Sequence, residues 1–263
     1  LIINQIYTSM KFNKYFYLSA ALAFALCSCS DNDETGGDFT PTIFNVMGKV
    51  EKGPMIRGSH VDMRTLDEYM TPTGSFYSAT IDNNLGTLKI NSPYAQLTAD
   101  GYFFNEVDGE LSEGTIKLDA IVDLKDNSTI NVNVLTHLKS KRIHHLVTTQ
   151  GMTFKEANAQ AQKELLTQFG LQQYASKDAS QFSLTSGDDA SGALIAISSL
   201  VLTDRSDAEI VEYLSILSNE FGTEGAFSQE TKKKIQSGKN YLNTRLDRIS
   251  ENIKSRYKEL GLE

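Results

Sequence analysis

The hydrophobic pattern changes period once, near residue 134, and that change limits the fold more than any other feature of the chain. Before it, apolar residues recur at every second position. Ile116, Leu118, Ala120, Val122 and Leu124 alternate with Thr115, Lys117, Asp119, Ile121 and Asp123, which is the pattern of a strand with one buried face. Further strands are expected at 44–52, 59–66, 76–81, 87–91, 96–99 with 102–105, and 129–134. Turn residues separate them: Gly53 and Pro54, Pro72 to Gly74, Asp82 to Asn84, Asp100 and Gly101, and Asp108 and Gly109.

After residue 134 the period becomes helical. A first helix is expected over 135–147, stopping at Gly151. Thr153 and Glu156 form a capping box. Phe154, Ala157, Ala161, Leu165 and Phe169 then share one face, and Gly170 closes the helix. Residues 190–202 are apolar almost all round, as expected of a central buried helix. Ser206 and Glu209 form a second capping box, followed by Ile210, Leu214, Leu217 and Phe221, with Gly222 as the stop. Leu242, Leu246, Ile249, Ile253, Tyr257 and Leu260 form the stripe of one last helix. About seven strands with regular turns, then about five helices, predict an α+β chain of segregated domains. The first is an antiparallel β-sandwich over 42–134 and the second an all-α domain over 135–263. The tight junction at Asn133 and Val134 predicts that the two pack as one unit.

Composition removes several classes of function. Hydrophobic residues make up 40% and charged residues 22% of the 263, enough apolar material for a core. The net charge of −8 argues against a nucleic-acid partner. Two cysteines, close together near the N-terminus, exclude a disulfide scaffold and a cysteine-based zinc site.

The N-terminal region reads as an address. Met10, Lys11 and Lys14 precede an apolar run from Tyr15 to Leu26, a basic segment and short hydrophobic core typical of an export signal. At about twelve residues the run is too short for a mature span, which needs roughly 20. Residues 1–9 read as an upstream start ahead of the true initiator, Met10. Leu26, Cys27, Ser28 and Cys29 resemble a bacterial lipobox, with Cys29 the lipidated residue. Residues 1–28 are then upstream residues and signal peptide, and 29–41 an acidic tether. Within it, Asp31, Asp33 and Glu34 resemble the signal that carries Bacteroidetes-type lipoproteins to the outer face of the outer membrane.

Several further segments carry a family resemblance. They are Gly48–Pro54 (GKVEKGP), Pro72–Gly74, Gly101–Glu106 (GYFFNE), Asn131–Leu138 (NVNVLTHL), Ala193–Ser198 and Tyr257–Gly261. Together the chain resembles Bacteroidetes-type surface lipoproteins in which a carboxypeptidase-regulatory-like (prealbumin-like) β-sandwich precedes a helical domain. The resemblance implies a fold and a location at the outer membrane. It brings no catalytic residues.

Residues suited to chemistry are sparse. His60, His137, His144 and His145 lack the i, i+4 spacing of helical metal ligands, because Lys141 occupies the position that would complete it. The motifs G-x-S-x-G, G-x-G-x-x-G and G-x-x-x-x-G-K-[ST] are absent. Asp82, Asn84 and Gly86 read as a hairpin turn, since the spacing of a calcium loop breaks there. Asn105, Glu106, Asp108 and Glu110 read as a solvated loop, with a weak calcium site as the alternative. Asn219 to Phe227 is poor in metal ligands. Tyr94, Tyr102, Phe103 and Phe104 could stack on sugars, but strand alternation sends about half of them inward, and there is no tryptophan. The lysines and arginines after Lys232 alternate with acids and read as a solvated helix face.

The expectation is a non-enzymatic outer-membrane surface lipoprotein, an interaction or assembly module, with no cofactor, metal or catalytic residue. Its partners are the membrane, through the anchor, and an envelope protein or glycan. The alternatives are a ligand-binding accessory to a nutrient uptake system, with glycans as one ligand class, and a hydrolase whose carboxylate pair forms only on folding.

Overall fold

The structure, a computed structural model, describes residues 44–51, 55–81, 85–90, 92–125, 129–184 and 186–261. Cys29, Asp31, Asp33, Glu34, the signal and the tether lie outside the described residues, as do Asp82 and Asn84. Among the described residues the chain runs through nine strands and then six helices. The strands are β1 (Phe44–Glu51), β2 (His60–Leu66), β3 (Pro72–Thr80), β4 (Leu85–Ile90), β5 (Tyr94–Gly101), β6 (Phe104–Asn105), β7 (Glu110–Leu111), β8 (Ile116–Asp123) and β9 (Thr129–Asn133). The helices are α1 (Val134–Gln150), α2 (Phe154–Phe169), α3 (Asp189–Leu202), α4 (Asp207–Glu224), α5 (Gln229–Asn243) and α6 (Leu246–Glu259).

The expected antiparallel sandwich of about seven strands does not form. The strands divide into a four-stranded sheet, β3-β2-β5-β8, a three-stranded sheet, β4-β1-β9, and the short pair β6-β7. β1 and β9 run parallel, with Gly48 beside Ile130 and Glu51 beside Asn133. Alternation decides which face of a strand is buried, but it does not name the neighbour or its direction. A parallel neighbour needs a long crossover, and here all the strands between β1 and β9 supply it. Gly48 permits the approach, since a Cβ there would lie 1.6 Å from the Ile130 carbonyl oxygen.

Within the four-stranded sheet the sequence pattern holds. Val61 and Met63, Ala95, Leu97 and Ala99, and Ile116, Leu118, Ala120 and Val122 are all buried on one face. Ile121 points the other way and is buried too, because α1 and α2 bring Ile143, Leu146, Phe154 and Ala157 against it. The helices are therefore not a separate all-α domain. One apolar cluster runs from Val50, Leu97 and Val132 through Leu135 and Leu194 to Ile253 and Tyr257.

The helical signals form as read, with two exceptions. Thr153 and Ser206 close capping boxes with Glu156 and Glu209, and Ala190 to Leu202 is buried throughout. However, α4 runs past Gly222 and ends at Gly225. Gly222 is instead a contact position, where an added Cβ would lie 2.8 Å from the Lys141 Cβ on α1. The expected last helix is also two. Ser228 caps α5, and the helix is interrupted between Asn243 and Leu246.

Candidate functional site

The polar interior lies where residues 171–184, within the connection between α2 and α3, cross the ends of β1 and β9. This connection carries two 3-10 turns, Gln172–Tyr174 and Ala179–Gln181. Its backbone carbonyls are taken up by strand side chains. Asn131 Nδ2 donates to the Phe182 carbonyl at 3.2 Å, and Asn133 Nδ2 to the Ala179 carbonyl at 2.8 Å. Asn133 also caps α1, accepting from the Thr136 amide at 3.0 Å.

Lys139, on α1, is 2% exposed. Its Nζ donates to Asp178 Oδ2 at 2.8 Å and to Gln162 Oε1 at 3.1 Å. Asn158 Nδ2 donates to the same Asp178 oxygen at 2.8 Å, and the Ser180 amide and hydroxyl donate to Oδ1 at 2.8 and 2.7 Å. Burial opposes the Asp178 charge. Lys139 and these hydrogen bonds outweigh it and hold the carboxyl well below its ordinary range. Gln162 completes the knot, donating from Nε2 to the Lys177 carbonyl and accepting from the Ala179 amide.

Glu51, at the end of β1, is 3% exposed. The Ser183 hydroxyl donates to Oε1 at 2.9 Å and the Leu184 amide to Oε2 at 3.0 Å. Burial dominates and raises its pKa, against Lys49 and these two donors. Tyr257, on α6, has its hydroxyl pKa raised by burial first and then by the charges of Glu51 and Glu106. Glu106 and Tyr257 line a crevice of about 10 Å³ with Arg256 and Phe104, which is room for one water. A cavity of about 90 Å³ lies beside Asp178, lined also by Asp123, Lys155, Asn158 and Ser180. Both volumes fall below the 300–1,000 Å³ typical of sites for drug-sized ligands.

Of the expected chemistry, the histidines stay spread out. His60 is on β2, while His137, His144 and His145 are on α1. His137 does approach a carboxylate. The Asp119 amide donates to its Nδ1 at 3.2 Å, and Asp119 Oδ2 lies 3.4 Å away. Thr98, however, donates its hydroxyl to Asp119 Oδ1 at 2.7 Å. The hydroxyl therefore meets the carboxylate, whereas a nucleophile must meet the imidazole. Asn105 closes its own turn, accepting from the Val107 and Asp108 amides while Nδ2 donates to Asp108. Glu106 lines the crevice, and with Asn105 it is buried, so this end of the expected solvated loop is not open to solvent. Among the described residues no group of three or more metal-ligating side chains converges, and no helix is long and apolar enough to cross a membrane.

Sequence reasoning missed Lys139, Asp178, Gln162 and Glu51. One signal was readable: Lys139 and Arg142 stand among Leu135, Leu138, Ile143 and Leu146, where a helix turns its apolar side inward. Arg142 is 5% exposed and binds Glu164 through two nitrogens, at 2.7 and 3.2 Å. No protein-family model matches the chain, nor does any curated protein or solved structure.

Proposed function

We propose that this chain is a non-enzymatic lipoprotein, anchored through Cys29 in the outer membrane, displayed at the cell surface and acting as an interaction module of the envelope. The observation that carries the non-enzymatic part is saturation. Asp178 accepts four hydrogen bonds, from Lys139, Asn158 and Ser180, and a carboxylate so engaged is a fastener rather than a base. The likeness of Leu26 to Cys29 to a lipobox, and the acidic residues Asp31, Asp33 and Glu34, support the anchor and the display.

Mass spectrometry of the mature N-terminus tests the anchor. A diacyl- or triacylglyceryl Cys29 is expected, and an unmodified N-terminus elsewhere would refute it. Protease treatment of intact cells tests display. The protein should be removed, and replacing Asp31, Asp33 and Glu34 by alanine should protect it.

A further inference from the structure

β3 is an outer strand. It pairs with β2 on one side, and among the described residues no strand is hydrogen-bonded to its other edge, with β4 approaching it from the other sheet. Such edges are usually blocked by charge, proline or a bulge, because their free amides and carbonyls invite another strand. In β3 the blocking devices sit at one end only. Pro72 begins the strand, and the pairing register shifts between Leu66 beside Pro72 and Arg64 beside Phe76. Beyond that irregularity, Phe76 to Thr80 run in regular register against Arg64 to His60. The strand, PTGSFYSAT, carries no charge, and none of its nine residues is buried. Phe76 is 54% exposed.

We propose that the outer edge of β3 is the seam of a two-fold dimer, in which a second copy of this chain pairs antiparallel with the axis at Tyr77. Charge on the neighbouring strand selects both the partner and the register. Arg64 lies beside Phe76, and Asp62 beside Ser78. The Arg64 guanidinium reaches over the Phe76 ring, 5.9 Å from its centre, and the Ser78 hydroxyl donates to Asp62 Oδ1 at 2.8 Å. With the axis at Tyr77, Phe76 faces the second copy's Ser78. One row across the sheet then holds Arg64, Phe76, the second copy's Ser78 and the second copy's Asp62. The axis repeats this row in reverse, giving two complementary pairs. An axis at Phe76 would place both Arg64 side chains in one row, and an axis at Ser78 both Asp62 side chains.

The two β2 strands are three strand spacings apart, about 14 Å. Arg64 spans part of that distance over Phe76, which brings the charges within about one Debye length of 10 Å. The result is an isologous contact that closes on itself, and β2, β3, β5 and β8 of both copies become one continuous sheet. The seam is short, so reversible, micromolar association is expected.

The test uses the full chain with Cys27→Ser and Cys29→Ser, so that it holds without the lipid anchor and its failure is separate from failure of the lipoprotein reading. Sedimentation velocity over a concentration series should show a monomer–dimer equilibrium. Asp62→Arg should weaken it about tenfold by setting arginine against arginine, and Asp62→Arg with Arg64→Asp should restore it. Under mild oxidation Tyr77→Cys, at the axis, should form a disulfide dimer, whereas Ala79→Cys should not. If Tyr77→Cys fails to fold, the charge exchange decides alone. A monomer at every concentration, a dimer indifferent to the exchange, or equal cross-linking at Tyr77→Cys and Ala79→Cys would overturn the proposal.

Discussion

Asp178 ties the connection between α2 and α3 to the helices α1 and α2, and Glu51 ties it to β1, yet the two carboxyls shift their pKa in opposite directions. Asp178 meets a buried ammonium and three further donated hydrogen bonds, and it stays ionised. Glu51 is the deeper of the two, 3% exposed against 24% for the Asp178 side chain, and its two donors and the charge of Lys49 do not offset that burial, so its pKa rises. The difference shows how depth and donors act together on an interior carboxyl. Asp178 keeps some exposure, four donated hydrogen bonds and an ammonium in direct contact, and Glu51 has greater depth and fewer donors. Asp178 is a fastener for as long as its cation is present, whereas Glu51 is a fastener that weakens when it ionises.

Removing the cation should collapse that contrast, and it carries the largest expected effect. Lys139→Met leaves the half-buried Asp178 carboxylate without its cation and frees Gln162 Oε1 of one bond. A loss of about 3–5 kcal/mol is expected, read from denaturant unfolding. Adding Asp178→Asn should recover part of it. A loss under about 1 kcal/mol would show that water reaches Asp178 from the adjoining cavity and replaces the ammonium.

The next effect concerns the strand frame from which Glu51 hangs. Glu51 lies beside Asn133 because β1 and β9 are parallel neighbours, and Gly48 lets them approach. Gly48→Ala should force the pair apart at Ile130 and cost about 1–3 kcal/mol, as overpacking does. Hydrogen exchange should then accelerate at Val132 and Asn133. An unchanged stability would mean that β1 can shift without disturbing the Glu51 anchor.

This frame is also where the sequence is least legible. The inward faces of β2, β5 and β8 can be read directly, because a period of two fixes which side is buried. The caps at Thr153 and Ser206 are as clear, because the bonds they make are local. The parallel pairing of β1 with β9 is not readable, since its two partners are far apart and each would alternate in the same way beside any neighbour. The expected sandwich failed at that point. The break between α5 and α6 was hidden for a related reason, as Leu242 and Leu246 keep helical spacing across it. Lys139 stood in an apolar stripe and could have been marked as buried, but Asp178, its partner, sits in a polar connection whose path only the fold defines.

A smaller effect is expected on the acid side. The Asp178 pKa is lowered from an unfolded value near 3.8, so its contribution is complete above that value. It should be lost as pH falls below 3.8 and the folded carboxyl takes up its proton. Unfolding of the wild type should therefore lose stability between about pH 4 and pH 2, and Asp178→Asn should flatten part of that slope. A slope identical in both would assign the acid limb to other carboxylates.

The smallest effect separates the two carboxyls most sharply, because its sign is reversed. The Glu51 pKa is raised above an unfolded value near 4.5. The folded state binds this proton more tightly than the unfolded chain, so the stabilisation is complete below 4.5 and is lost as pH rises through the folded value. A carboxamide in place of this carboxyl, as in Glu51→Gln, keeps an oxygen for the Leu184 amide and carries no charge to bury. The variant should thus match the wild type near pH 4 and exceed it by about 1 kcal/mol near pH 8, in urea unfolding at both pH values. Stabilisation that is equal at both pH values would be a packing effect and not a titration. Destabilisation near pH 8 would mean that Lys49 and the two donors hold Glu51 ionised at little cost, and the contrast with Asp178 would disappear.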